Sequence, residues 1–264
     1  MVPKLPHVLC LTEHHSVEQE IETLSIDHCI LGAKFCRQSL KHGGTGIFVH
    51  ESLAFTNIDL QESCMEQDIE AFAVKINLLT TVICIYRSPT GNFSQLIKGI
   101  DTILNQFSKP NIKIIVSGDI NVDYLDETCY KKKQLDALLA TYNLISTVRF
   151  PTRSLNGSSS TIDNIFIDIY HKGKYTIYPL INGLSDHDGQ IIQLENMSVQ
   201  TQLSETRIIR NFNRHCIHDF KTKLSYEIWD TIFGENDVDK IFDNFHNTFL
   251  RTFFSSFPKK KIQL

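Results

Sequence analysis

The chain has 264 residues, of which 42% are hydrophobic and 21% charged, an ordinary balance for a soluble globular protein with room for one large α/β domain and an extension. A formal net charge of −4 and a pI of about 6.2 carry no overall basic signature of a nucleic-acid binder, which still leaves room for a local basic surface that contacts phosphates. The seven cysteines form no CxxC pair, those inside apolar runs such as Cys10 and Cys84 read as free buried thiols of a reducing compartment, zinc ligation is not expected, and no stretch reaches the roughly 20 apolar residues of a membrane span or the core of a signal peptide.

In chain order, Val8–Leu11 is a short apolar run that predicts a strand, with Thr12 and Glu13 at its end. The Glu13 carboxylate is either a metal ligand or a capping group for the polar helix expected over Ser16–Glu22. Cys29–Arg37 predicts a second strand. The glycine-rich stretch Lys41–Gly46 reads as a hairpin turn, because no Lys-Ser/Thr closes a phosphate loop there, and Ile47–His50 is the strand that follows. Ile69–Leu78 alternates and Thr81–Tyr86 is continuously apolar, which predicts antiparallel neighbours joined at Leu79 and Thr80. Tyr86 and Arg87 then stand at a strand mouth, either to hydrogen-bond phosphate and steer DNA or as ordinary surface groups. Phe93–Phe107 has apolar residues at helical spacing, and Pro110 stops it.

Ile112–Val116 is β-branched and apolar, a buried strand that Ser117 and Gly118 break. Asp119 and Asn121 follow. In extended backbone, residues two apart point the same way, so a carboxylate and a carboxamide lie side by side at the mouth of a sheet. That pairing suits a hard cation and a phosphate or water, and it also suits a simple Asx turn. Tyr130–Tyr142 predicts a helix with Lys131–Lys133 on its solvated face. Leu144–Val148 is a short strand, and Phe150–Arg153 opens a polar loop through Ser160. Asp163 interrupts the apolar strand Thr161–Ile169, and burying it asks for a partner such as a histidine. Lys174–Leu180 and Asp188–Leu194 are further strands, with Asp186 and His187 before the second. That His is a base, a ligand or part of a surface turn. Beyond the polar linker Glu195–Thr206 the chain changes character. Arg207–Phe212 is strand-like, His215–Trp229 and Val238–Phe254 are helical, and Lys259–Lys261 lie in a tail.

Taken in order, LCLTEHH with Glu13, YRSP with Tyr86 and Arg87, SGDIN with Asp119 and Asn121, TIDNIF with Asp163 and LSDHDGQ with Asp186 and His187 resemble the endonuclease/exonuclease/phosphatase family over about residues 7–195. YRSP and FPTRSLNGSSSTIDNIF are similar to the endonuclease domains of jockey-type non-LTR retrotransposons, and the tail resembles the connector that precedes reverse transcriptase in such elements. The resemblance implies an α/β fold, a four-layer α/β/β/α sandwich of the deoxyribonuclease kind over residues 1–197. Residues 198–264 would be a linker and a short, mainly helical connector. It implies Mg²⁺ (or Mn²⁺) held by Glu13 with help from Asp186. His187 would activate water with Asp163 orienting it, Asp119 would position the nucleophile, Asn121 and Tyr86 would bind the scissile phosphate, and Arg87 would contact DNA. It implies DNA as partner, no membrane, no small-molecule cofactor, a monomer, and an intracellular, nuclear setting if active.

Members of that family open with a strand carrying a metal-site Asn ahead of the Glu strand. Met1 lies only twelve residues before Glu13, so that strand is expected to be absent and its neighbours to show unpaired edges. The chain would then be truncated at both ends, with reduced or absent activity. Three functions follow: a Mg²⁺-dependent endonuclease nicking target DNA, an inactive remnant of that domain, or a phosphoesterase of the same fold with another substrate. The retrotransposon-like tail argues against the last.

Overall fold

Runs of β-branched and aliphatic residues supply the strands and the amphipathic segments supply the helices. The computed structural model describes residues 5–40, 42–76, 79–109, 112–155, 157–181, 183, 185–195, 206–234 and 237–263. The Pro110 helix stop, Leu78, Leu184 and linker residues 196–205 lie outside them. The chain divides into two units, Met1–Gln202 and Leu203–Leu264.

The first unit opens with β1 (Val8–Thr12), α1 (Glu18–Thr23), β2 (Cys29–Phe35) and β3 (Thr45–His50). These strands form an antiparallel sheet in the order β1-β3-β2. Then come β4 (Phe55–Ile58), β5 (Glu70–Ile76), β6 (Thr80–Tyr86), α2 (Phe93–Phe107), β7 (Lys113–Asp119), α3 (Tyr130–Thr141), β8 (Leu144–Ser146), the small hairpin β9 (Arg153–Leu155) and β10 (Ser158–Ser160), and β11 (Asp163–Asp168). A six-stranded sheet runs β4-β5-β6-β7-β11-β8. The β6–β7 pair is parallel and is bridged by α2. Its strands alternate as the pleat requires. Ala71, Ile83, Ile85, Ile114, Val116 and Phe166 face α2 and α3, while Val74, Val82 and Cys84 meet Ala33, Ile47 and Val49 of the three-stranded sheet. Ile165 and Ile167 pack with Ile177 and Ile192 from the ribbon of β12 (Tyr175–Leu180) and β13 (Gly189–Leu194). Helix α1 covers the outer face of the small sheet, where buried Ile21 would touch any side chain placed at Gly46.

The layers therefore run helix, sheet, sheet, helix. Among the described residues β1 pairs only with β3, and β13 only with β12. Ile115 of β7 packs against both apolar clusters that these strands help form. The β1-β3-β2 sheet and the β12–β13 ribbon are separate sheets.

Three local details depart from the sequence reading. β7 does not stop at Val116 but carries Ser117, Gly118 and Asp119 as ladder residues, because β6 and β11 pair with it there. Lys132 is not solvated: its side chain is buried and its ammonium reaches Glu127 at 2.6 Å. The polar stretch before Ser160 is the β9–β10 hairpin, not an open loop. Helix α2 forms as its spacing predicts. Asn92 caps it, the side-chain oxygen accepting from the N–H of Ser94 and of Gln95. Asn92→Ala is expected to lower stability by about 1 kcal/mol, read from a urea titration, with no change in the denaturant slope.

In the second unit β14 (Thr206–Arg210) pairs antiparallel with β15 (Lys259–Gln263), so the lysine tail is a strand. Its helices are α4 (Arg214–Tyr226), α5 (Asp230–Phe233) and α6 (Val238–Ser256). Phe220 of α4 meets Phe249 of α6 at 5.5 Å between ring centres. No helix among the described residues is long and apolar enough to cross a membrane.

Candidate active site

The chemistry-bearing side chains stand at strand ends on one edge of the first unit. Asp119 ends β7 and Asp163 opens β11, directly across from it in the antiparallel register. Both carboxylates are buried. Burial, followed by the charge of Asp163, pushes the Asp119 carboxyl up from its ordinary 3.8 to about 8. His187 answers Asp163, its Nδ1 lying 3.1 Å from Oδ2 and 3.3 Å from Oδ1. That hydrogen bond raises the His187 pKa above its ordinary value, with burial opposing it. Thr152 completes the anchor: its hydroxyl donates to Asp163 Oδ2 at 2.7 Å and accepts from the N–H of Asp163 at 3.2 Å. One ligand atom each from Glu13, Asp119 and His187 lies within 4.8 Å of the other two. Two carboxylates and an imidazole with Nδ1 already committed form a donor set that suits a divalent cation.

Glu13 stands just beyond β1 with φ at +51°. The residue before α1 is Val17, so Glu13 does not cap that helix. Instead it accepts a hydrogen bond from the Tyr86 hydroxyl. Burial, then that contact with Glu13, pushes the Tyr86 pKa upward. Behind Tyr86 lies a buried ion pair, Arg37 Nε to Glu70 Oε1 at 2.5 Å, and Arg37 Nη2 donates to Ser88 Oγ at 2.8 Å. Nothing in the local sequence marks Glu70 or Arg37, because their pairing spans 33 positions.

Asn121 does sit beside Asp119, though not through extended backbone. Its φ is +50°, and the turn lets its N–H reach Asp119 Oδ1 at 2.9 Å while Nδ2 donates to Asp119 Oδ2 at 3.0 Å and to the Arg87 carbonyl at 2.8 Å. Both amide hydrogens are spent within the protein, so Asn121 is placed to hold Asp119 rather than to donate to a phosphate.

Two expectations need correction. Arg87 is not a DNA contact: it is 1% exposed, and its guanidinium donates to the carbonyls of Ile120, Gly91 and Asn121. A cation in that position ties the Asp119 loop to the end of β6. Asp186 does not face the metal-capable group. Its carboxylate pairs with Arg153 at 2.6 Å, which holds its pKa below the usual range.

Residues 80–191 match a family model described as endonuclease–reverse transcriptase. Over that stretch the chain is similar to the endonuclease–reverse transcriptase family. No curated protein matches its sequence. Among solved structures it is similar to the endonuclease domain of TRAS1, a telomere-specific non-LTR retrotransposon, at 14% identity and a TM-score of 0.52, covering 74% of this chain and 83% of that one. It is also similar to the 3′ phosphatase NExo from Neisseria bound to a product DNA hairpin, at 13% identity and a TM-score of 0.51, covering 73% of this chain and 90% of that one. At such identities the likeness speaks for the fold, which is that of the endonuclease/exonuclease/phosphatase proteins.

Proposed function

We propose that this chain is a divalent-metal-dependent DNA endonuclease of a non-LTR retrotransposon, working on nuclear target DNA as a monomer. The observation that carries the reading is the convergence of Glu13, Asp119 and His187 within 4.8 Å, with Asp163 holding the imidazole from behind. Glu13 and Asp119 would hold the cation, Mg²⁺ or Mn²⁺. When bound, it supplies positive charge to the phosphate oxygens as the transition state forms. The protein's own groups do the rest. His187, with Nδ1 fixed by Asp163, takes the proton from a water whose oxygen bonds to phosphorus as the P–O bond to the leaving sugar oxygen breaks. Its raised proton affinity suits a base. Tyr86 fixes Glu13, and Asn121 fixes Asp119.

Nicking of supercoiled plasmid by the purified chain tests this, with Asp119→Ala beside it. Nicking that needs Mg²⁺ or Mn²⁺, stops with chelator and is lost in the variant is the expected result. A soluble, folded chain that leaves the plasmid intact at every metal concentration would favour the inactive remnant. Hydrolysis of phosphomonoesters in place of nicking would assign the chain to phosphatase chemistry.

A further inference from the structure

Among the described residues, the site is lined mainly by acidic groups. Glu13, Asp119 and Asp163 converge there, and a phosphodiester arrives as an anion. We propose that Arg153 binds the DNA phosphate at the point of cleavage through its two Nη groups, while Asp186 grips Nε and aims the guanidinium. This rests on the endonuclease reading above.

The backbone fixes where Arg153 stands. It forms a β-bridge with His187, the N–H of Asp188 donates to the Thr152 carbonyl at 2.7 Å, and the N–H of Ser154 donates to the Asp186 carbonyl at 3.1 Å. Its Cα is therefore pinned beside the base of the reaction. Nε meets Asp186 Oδ2 at 2.6 Å, and among the described residues Nη1 and Nη2 have no protein acceptor. About a third of the side chain is open to solvent, at 34%. The other arginines near the site differ: Arg87 spends Nε, Nη1 and Nη2 on carbonyls, and Arg37 is committed to Glu70 and Ser88. Besides its bond to Asp186, Arg153 feels the Asp119 and Glu13 carboxyl groups, so its guanidinium lies within electrostatic reach of the metal-capable group.

A half-exposed ion pair contributes little to stability, so folding alone does not account for this one. A planar guanidinium gripped at one edge presents its other edge for a two-point contact with phosphate, and the grip removes rotamer freedom before the ligand arrives.

The test is salt-dependent binding of a short DNA duplex in chelator, comparing the full chain with Arg153→Ala, Arg153→Lys and Asp186→Asn, together with kcat and KM in Mg²⁺. Arg153→Ala is expected to weaken binding and lower kcat/KM about tenfold to a hundredfold, to reduce the slope of log affinity on log salt by about one, and to leave the melting temperature unchanged. Arg153→Lys should recover the slope but only part of the affinity, since an ammonium gives one contact where the fork gives two. Asp186→Asn should fall between. Unaltered affinity and slope in Arg153→Ala, with the parent chain binding normally, would overturn the assignment and leave the endonuclease reading in place. A lowered melting temperature with unaltered slope would make the pair a structural tie and would equally overturn it. A parent chain that binds no DNA would sink both readings together.

Discussion

Asp119→Asn is expected to remove nicking and, at alkaline pH, to make the metal-free protein more stable. The carboxylate is 2% exposed, faces Asp163 across the ladder and titrates at about 8 instead of 3.8. Between those values the folded chain keeps a proton that the unfolded chain has released, so the metal-free stability falls as pH rises through that window. His187 acts in the same direction. Its proton is held by Asp163, so its contribution is complete below its ordinary 6.5 and disappears as pH climbs through the raised folded value. Melting curves in chelator from about pH 5 to about pH 9 should therefore show a steady decline. A cation that takes the place of the Asp119 proton reverses this, so Mg²⁺ should stabilise more at the alkaline end and bind more tightly there. The amide of the Asn variant does not ionise. Its profile should flatten to the His187 part alone, its response to Mg²⁺ should shrink, and its nicking rate should fall at least about 10²-fold. If the variant declines with pH as steeply as the parent, Asp119 is not the group carrying the titration.

What could be read from the sequence follows the range of the interactions. Helix α2 and strands β5 and β6 declared themselves, because spacing and alternation are set within each element. The need of Asp163 for a partner was also legible, since an acid in an apolar strand is costly without one, and His187 stands against it. Arg87 was not legible. A Tyr-Arg pair at a strand mouth looks like surface until the carbonyls of Ile120 and Asn121 fold over it from 33 and 34 positions away. Arg153 and Asp186 are likewise 33 positions apart. The turn that brings Asn121 beside Asp119 is not legible, because a positive φ leaves no mark on hydropathy. Strand β4 and the serine-rich β9–β10 hairpin carry no alternating apolar residues, so nothing in their composition separated them from loop.

Gly118 is the residue whose loss should cost the fold most. It lies inside β7 at φ +145°, and a Cβ there would come within 1.9 Å of the Ile85 carbonyl oxygen and 2.9 Å of its carbon. Ile85 belongs to β6, the parallel neighbour, and the obstructing atoms are backbone, so no rotamer change relieves the contact. The two strands would have to part at the centre of the six-stranded sheet. The close approach explains why a glycine sits directly before Asp119: the N–H of Arg87 donates to the Asp119 carbonyl at 3.0 Å, and that bond needs β6 and β7 in contact. Gly118→Ala is expected to cost about 3 kcal/mol or more. For a unit of this size that is a fall in melting temperature of roughly 6–12 °C. Nicking should drop even where the protein stays folded, because Asp119 moves with the strand. Gly157→Ala separates strain from collision. Gly157 also has a positive φ, +80°, but nothing stands within 4 Å of a Cβ there, so only the left-handed penalty of about 1 kcal/mol applies. Equal losses from the two substitutions would show that backbone conformation alone, and not the press of β7 against β6, fixes the glycine before Asp119.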